Sequence, residues 1–317
     1  MKVLQAATLL LRAKLKYVLA ILVVLLIAVV IACLVLVAQS YQHLHESTEV
    51  YIELQAKYQK LLETARLLNS SLEAVVGMLR KYCCIPEVLP YVLSKDEVLS
   101  LKWYMVLAGV DLQDELASIE HVYNWVVSNI DYSLDPIVPM PRHNATCIIL
   151  GNESYCYYEF REIRDYVQSP LLTILRRSGD CEDHAVLVYA MLTYYFRYLQ
   201  GRNYTLWIAV LELVDGSRHA AVFIPVYGGR LIIVDTSKHY LSNTSAVLEK
   251  SALQELEDYS YYFLENAGIK LIVLYSVDVE RGVVLLDASG GIATIASYIS
   301  EYASKPGAPV LNITSAQ

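Results

Sequence analysis

The sequence has no excess of positive charge, no internal repeat and no low-complexity segment. Its 25 Lys and Arg are outnumbered by 33 Asp and Glu, which gives a formal net charge of −8 at pH 7. Because four of the positive charges precede a long apolar run, the remainder of the chain carries about −12. A chain this acidic lacks the basic surface that binds a nucleic-acid backbone, so we expect no nucleic-acid partner.

Two metal-binding patterns are also missing. None of the six cysteines belongs to a Cys-x2-Cys pair, the usual signature of a structural zinc site. No EF-hand loop is present that would assign calcium. His184 follows Cys181 by three residues, but no second pair of ligands accompanies them. We therefore predict neither a metal nor another cofactor.

No charged residue occurs in residues 17–38, which are rich in Leu, Val, Ile and Ala. A helix of this length spans the roughly 30 Å hydrocarbon core of a bilayer. A signal peptide is the competing interpretation, but its apolar region is usually only about 7–15 residues long. Residues 1–16 contain basic residues and no acid. The positive-inside rule then predicts a single-pass membrane protein with a cytoplasmic N-terminus and an extracytoplasmic chain from residue 40 onward.

Glycosylation sequons support that placement. Six of the nine Asn residues lie in Asn-x-Ser/Thr triplets, where chance would supply about one. All six follow the apolar run. The candidate acceptors are Asn69, Asn144, Asn152, Asn203, Asn243 and Asn312.

The cysteines fit an oxidising compartment. Cys33 lies within the apolar run, where a small apolar side chain is ordinary. Four others, Cys83, Cys84, Cys147 and Cys156, form an even set that suits disulfides. Cys147 and Cys156 bracket a short loop that a disulfide would close. The rival pairing crosses 83/84 to 147/156, because adjacent cysteines bond to each other only with strain. All three connectivities stay open.

Residues 40–82 form a predicted helical stalk. Between positions 41 and 80 there is no Pro and one Gly, and apolar residues recur at alternating steps of three and four from Tyr51 to Leu79. This is the a/d seam of a coiled coil, which would join two copies as a parallel homodimer through residues 44–79. The alternative is a long amphipathic helix that packs back on its own domain.

Residues 83–317 carry the pattern of an extracytoplasmic α+β domain. Predicted helices, the first opened by a Ser94/Glu97 capping box, lie near residues 94–107, 111–130, 181–199 and 292–302. Predicted strands lie at 204–213, 219–226, 230–235, 269–277 and 282–286, with a Gly-Gly turn between the second and third. Residues 131–168, rich in Pro and sequons, read as an exposed excursion.

The pattern most typical of an enzyme joins Cys181, His219 and Asp235. Cys181 follows Ser-Gly-Asp at the start of an apolar helix, where the helix N-terminus lowers the pKa of a thiol. Its acidic neighbours act in the opposite direction unless their carboxylates point to solvent. His219 begins a strand, and Asp235 ends the next strand of the hairpin, so the two side chains can meet. A nucleophile, a base and a carboxylate that orients the base are thus all present.

These three segments resemble the transglutaminase-like domain, and the archaeal members most. Gly-Asp-Cys opens a helix at Cys181, His-Ala starts a strand at His219, and Asp235 ends a strand sixteen residues later. The resemblance covers about residues 117–240, including Tyr123-Asn124-Trp125-Val126-Val127 of the preceding helix. It implies a papain-like fold, with helices packed on an antiparallel sheet, and a catalytic triad formed by the three residues.

The resemblance also implies a reaction. The Cys181 thiolate attacks a peptide or Gln carboxamide carbonyl, His219 protonates the departing amine, and water or a Lys amine resolves the thioester. The oxyanion hole would use the Cys181 backbone N–H and an upstream side chain, with Gln168 and Tyr166 as candidates. Many relatives have Trp two places after the His, where Ala221 stands here. That departure favours hydrolysis over amine transfer.

The sequence thus predicts a membrane-anchored cysteine enzyme, an amide hydrolase, protease or acyltransferase, with a protein or peptide substrate. A different class of function stays open. The domain would then be an inactive binding or assembly module at the cell surface, and the stalk would be its working part. An intact triad favours the enzyme.

Overall fold

The structure is a computed structural model that describes residues 2–81, 85–150, 153–163, 166–244, 247, 249–263 and 268–313. The chain divides into two compact units, Met1–Leu72 and Glu73–Gln317. The described helices are α1 (Lys2–Lys81), α2 (Leu89–Val92), α3 (Lys95–Ser100), α4 (Lys102–Ala108), α5 (Glu115–Asn129), α6 (Pro170–Arg176), α7 (Cys181–Thr193), α8 (Ala252–Tyr262) and α9 (Ile292–Ser304). The described strands are β1 (Asp131–Tyr132), β2 (Val138–Leu150), β3 (Glu153–Ile163), β4 (Ser178–Gly179), β5 (Trp207–Leu213), β6 (Arg218–Val226), β7 (Arg230–Asp235), β8 (Tyr240–Leu241), β9 (Ile269–Asp278) and β10 (Val283–Gly290).

Helix α1 contains a stretch long and apolar enough to cross a membrane. Its most apolar window has a mean hydropathy of 3.2. The large apolar side chains from Leu22 to Val37 are exposed, which suits contact with lipid. This long apolar helix near the N-terminus suggests a single-pass membrane anchor. The same helix continues through the predicted stalk without a break.

A six-stranded antiparallel sheet forms the centre of the second unit. Its strand order is β10-β9-β5-β6-β7-β8. β6 and β7 pair directly, with Val222 opposite Val234 and Val226 opposite Arg230. The turn between them has positive φ at both Gly228 and Gly229, a conformation that glycine adopts without strain. The predicted hairpin therefore brings the first residues of β6 close to the end of β7.

The sheet separates two apolar clusters. On β6, Ala220 and Val222 pack with helix α7 in one cluster, whereas Ala221 and Phe223 pack with helices α8 and α9 in the other. Successive side chains of a strand point to opposite faces, so alternate residues serve different cores. Helices and an antiparallel sheet thus pack together as an α+β domain, and the predicted fold class is confirmed.

Within the excursion at residues 131–168, strands β2 and β3 pair antiparallel, and β1 pairs with β4. Cys147 lies opposite Cys156 in the register, and a disulfide joins them. Of the three connectivities open from sequence, the structure therefore contains one with Cys147 paired to Cys156. Cys83 and Cys84 lie outside the described residues.

Several helix boundaries differ from the sequence predictions. The helix expected at residues 94–107 is divided into α3 and α4 at the buried Leu101. The helix expected from residue 111 begins at Glu115, because the Asp114 side chain accepts the backbone N–H of Ala117 and caps that end. Helix α7 ends at Thr193 and continues as a π-helical turn over Tyr194–Leu199.

Candidate active site

Cys181 is the first residue of helix α7, directly after its N-cap residue Asp180. The Asp183 carboxylate accepts the backbone N–H of Asp180 at 3.3 Å and so closes the first turn. A Cβ atom on Gly179 would lie 2.5 Å from the Cβ of Asp183. The Gly-Asp-Cys sequence is therefore explained locally: glycine makes room for the capping aspartate, and the cysteine follows at the helix N-terminus.

The Cys181 thiol is held by a neighbouring acid. Its Sγ donates to Glu182 Oε2 at 3.2 Å. Burial raises the pKa of the thiol well above its usual value, and the charges of Glu182 and Asp180 raise it further, opposed by a hydrogen bond with the backbone of Ala220. This arrangement therefore favours the thiol of Cys181 over its thiolate. The sequence predicted a lowered pKa for Cys181 only if the neighbouring carboxylates point to solvent. Glu182 instead points to the thiol.

His219 and Asp235 form a buried hydrogen-bonded pair. The distance from His219 Nε2 to Asp235 Oδ2 is 2.7 Å, and both side chains are buried. Burial alone would raise the pKa of Asp235, but the charge and hydrogen bond of His219 lower it below the usual value. An ionised carboxylate on Nε2 keeps the proton on that nitrogen, so Nδ1 is the nitrogen that can accept another proton.

A cleft of about 310 Å³ brings Cys181 and His219 to one surface of the domain. Its lining residues are Ile85, Tyr132, Leu134, Asp180, Cys181, Glu182, Val210, Arg218, His219 and Ala220. The wall combines apolar side chains with two acids and one Arg. Asp235 lies behind His219 and so supports the imidazole from within the protein.

The two predicted oxyanion donors lie elsewhere. Among the described residues that line the cleft, neither Gln168 nor Tyr166 is present. The Gln168 side-chain amide donates to the Asp183 carboxylate and, at 3.3 Å, to the Ser178 carbonyl. The Tyr166 backbone N–H donates to the Asp135 carboxylate. Gln168 therefore supports Asp183 in the first turn of α7, whereas Tyr166 binds Asp135.

Sequence reasoning missed Tyr132. This residue lies on β1 and lines the cleft. Burial of the phenol, followed by the negative charges of the nearby acids Asp180 and Glu182, raises its pKa to about 12. The hydroxyl therefore stays protonated and able to donate.

Sequence reasoning also missed the contacts that His184 and Tyr259 make beside the site. His184 Nδ1 lies 2.9 Å from Thr236 Oγ1 and links the first turn of α7 to the end of β7. Tyr259 donates its hydroxyl to Asp235 Oδ2 at 2.7 Å. Tyr259 lies 24 residues after Asp235, in helix α8, which was not predicted from the sequence although Ser251 and Gln254 form a capping box at its start. Only the fold reveals its contact.

The predicted glycosylation sites occupy varied positions. Asn203, Asn243 and Asn312 are exposed, and Asn69 is half-buried on α1. The side chain of Asn144 and the whole of Asn152 lie outside the described residues. Glycosylation stays a prediction.

Cys33, in the apolar part of α1, is a free thiol.

Residues 104–260 match the family described as a transglutaminase-like domain. The chain therefore contains a transglutaminase-like domain, and the matched range includes Cys181, His219 and Asp235. Among solved structures, LapG of Legionella pneumophila is similar with a TM-score of 0.31 and 16% sequence identity, over 72% of this chain and 96% of that chain. No curated protein matched the chain.

Glu182→Gln is expected to make the thiol more reactive near neutral pH. The substitution keeps the size of the side chain and removes a negative charge that opposes the thiolate, so the pKa of Cys181 moves down toward its usual range. A less basic thiolate is also a weaker nucleophile, so we expect alkylation by iodoacetamide to accelerate only about threefold. Glu257→Gln, a change of an exposed residue, is the matched control. Equal alkylation rates in both variants and the wild type would contradict the assigned role of Glu182.

Proposed function

We propose that this protein is a cysteine-dependent amide hydrolase in which Cys181, His219 and Asp235 form the catalytic triad. One observation carries the proposal. The buried His219–Asp235 pair reaches the same cleft as a thiol at the N-terminus of α7. The transglutaminase-like domain over residues 104–260 supports a cysteine enzyme.

The proposed reaction begins from the protonated thiol. Cys181 leaves Glu182 and transfers its proton to His219 Nδ1, and the thiolate attacks the carbonyl carbon of a peptide or Gln carboxamide. The C–N bond breaks as His219 returns that proton to the departing amine or ammonia, which leaves a thioester. Water then loses a proton to His219 and adds to the thioester, and the thiol recovers the proton when the acid departs. Asp235 stabilises the imidazolium in both steps.

The oxyanion that forms in each step needs donors. The Cys181 backbone N–H lies at the free N-terminus of α7, where such groups point outward. In place of Gln168 and Tyr166, the second donor proposed is the Tyr132 hydroxyl, which lines the cleft and stays protonated.

Hydrolysis is proposed over amine transfer. Ala221, where many relatives have Trp, is small and packs into the cluster beneath the sheet with Phe223 and Tyr259. Its side chain therefore leaves the thioester accessible to water. The proposed substrate is a protein or peptide amide.

The proposed location is extracytoplasmic, with residues 1–16 in the cytoplasm, residues 17–38 in the membrane, residues 40–82 as the stalk and residues 83–317 as the enzyme domain. The charge asymmetry around the apolar run supports this orientation. The Cys147–Cys156 disulfide supports an oxidising compartment. The sequons would then be open to glycosylation.

A parallel homodimer is proposed through the seam at residues 44–79. Tyr51, Leu54, Tyr58 and Leu61 are exposed on α1 and form an apolar patch. Coiled-coil association would bury this stripe.

In membranes, Leu61→Cys is therefore expected to give a disulfide-linked dimer under mild oxidation, because a seam residue faces its own copy in a parallel pair. Lys60→Cys, one position away from the seam, should remain largely monomeric. The yield of dimer on a non-reducing gel measures the difference. Equal yields from both variants would contradict the seam.

The enzymatic proposal is tested with the purified full chain, a pool of Gln-containing peptides, and hydroxylamine as a competing nucleophile. A thioester intermediate gives peptide hydroxamates with hydroxylamine and acids with water, and mass spectrometry distinguishes the two. Formation of both products supports the proposal. If no amide is consumed while the stalk still dimerises, the binding or assembly module becomes the better account.

A further inference from the structure

Tyr259 places a hydroxyl on the same carboxylate oxygen that binds His219. Its hydroxyl donates to Asp235 Oδ2 at 2.7 Å, and His219 Nε2 lies 2.7 Å from that oxygen. The other oxygen, Oδ1, accepts the Ser237 hydroxyl at 2.9 Å and the Lys238 backbone N–H at 3.1 Å. Tyr259 and His219 approach from α8 and β6, and the donors to Oδ1 come from the turn directly after Asp235, so together they fix the plane of the carboxylate.

The surroundings of Tyr259 fix its hydroxyl. The side chain is fully buried, and its ring lies 5.1 Å from Phe263, 4.8 Å from Tyr240 and 6.2 Å from Phe223. Burial raises the pKa of Tyr259 well above its usual value, and the charge of Asp235 raises it further. The hydroxyl therefore stays protonated near neutral pH and donates to Asp235.

The His219 ring is held in the same aromatic cluster. Its centroid lies 5.2 Å from that of Phe263, the ring that also packs edge-on against Tyr259. A movement of Tyr259 would therefore disturb both the acceptor of the Nε2 proton and the packing of the imidazole. Tyr259 thus contacts the His219–Asp235 pair through its hydrogen bond to Asp235 and through Phe263, which packs against both Tyr259 and His219.

We propose that Tyr259 is a positioning residue that keeps Asp235 Oδ2 aligned with His219 Nε2, so that Nδ1 faces the cleft. This role rests on the proposed function, in which Nδ1 exchanges protons with Cys181. Tyr259 does not touch the thiol or the substrate. It shares the negative charge of Asp235 and prevents the carboxylate from rotating away from the imidazole.

If Tyr259 had a purely structural role, its hydroxyl would need only some acceptor, and any acceptor would satisfy it. Removal of the hydroxyl from Tyr259 or from Tyr240 should then have similar effects on the His219–Asp235 pair. Tyr240 provides the matched control, since it belongs to the same aromatic cluster but donates to Glu255 Oε1 at 2.8 Å. Tyr240→Phe therefore removes a hydroxyl from the cluster without removing a donor from Asp235.

The test compares the full-length wild type, Tyr259→Phe and Tyr240→Phe in detergent micelles. The first measurement is the far-downfield proton NMR signal of His219 Nε2–H, assigned by its loss in Asp235→Asn. We expect Tyr259→Phe to displace or broaden this signal and to lower kcat about tenfold with little change in KM. Tyr240→Phe should leave the signal and kcat as in the wild type.

A second measurement needs no variant. In the wild type, the Tyr259 and His219 protons converge on one oxygen, so magnetisation should transfer between them. Absence of that transfer, or a wild-type signal in Tyr259→Phe, would overturn the positioning role. The signal arises without substrate and so is read independently of amide cleavage. A displaced signal in a protein that consumes no amide would overturn the proposed function alone.

Discussion

Cys181→Ala is expected to abolish amide cleavage and hydroxamate formation, with a loss of about 10⁴- to 10⁶-fold relative to the wild type. The reason is chemical, because alanine has no group that can form the thioester. His219 and Asp235 would remain paired, but a base with no nucleophile to activate leaves only the weak effect of substrate binding. The assay is mass spectrometry of peptide acids and hydroxamates over time.

Two controls make this result interpretable. Cys33→Ala removes the other described free thiol, which lies in the apolar part of α1, and should retain full activity. The far-downfield signal of the His219–Asp235 pair should persist in Cys181→Ala and so report an intact site. Wild-type cleavage by Cys181→Ala would assign the activity to another group or a contaminant.

Asp235→Asn should have the second-largest effect, a fall in kcat of about 10²- to 10⁴-fold. An amide in place of the carboxylate turns an N–H group toward His219 or toward one of the other donors, and the wrong imidazole tautomer follows. Cys181 would remain in place, but the imidazole would carry its proton on the wrong nitrogen to act as the proposed base. Single-turnover kinetics should show that acylation is the impaired step.

The same variant has a defined effect on stability against pH. The pKa of Asp235 is lowered in the folded protein, so its contribution to stability is present above the unfolded-state pKa and is lost as the pH falls through the folded-state pKa. Asp235→Asn should be less stable than the wild type at neutral pH, by about 1–3 kcal/mol. The difference should narrow in acid, as measured by chemical denaturation. A stability difference that stays constant from neutral to acidic pH would contradict the ionised state assigned to Asp235.

The order of elements was predictable because local rules determine most of it. The Gly-Gly turn specified the β6–β7 hairpin, and with it the meeting of His219 and Asp235. The Ser-Gly-Asp segment before Cys181 marked the start of α7, where Asp180 is the N-cap residue. The boundaries of helices were less accurate, because a single cap such as Asp114 moves them by several residues.

The environment of the thiol could not be predicted in the same way. The sequence shows that Glu182 adjoins Cys181, but the direction of its side chain depends on the packing of the cleft. Gln168 illustrates the same limit, because its proximity in sequence suggested an oxyanion donor and its amide instead binds Asp183. Tyr132 and Tyr259 reach the site from distant segments. Contacts of that kind arise from tertiary packing.

The alternation of side chains along β6 has a consequence for how variation can accumulate in this protein. Cys181 depends on the packing of α7 above the sheet, whereas His219 and Asp235 depend on the aromatic residues of α8 below it. Substitutions beneath the sheet would change the orientation of His219 and Asp235 and would leave the Cys181 sulfur in place. Substitutions above it would act first on the position of the sulfur. The thiol and the His219–Asp235 pair therefore depend on packing against opposite faces of the sheet, and the contact between His184 and Thr236 connects α7 to the end of β7.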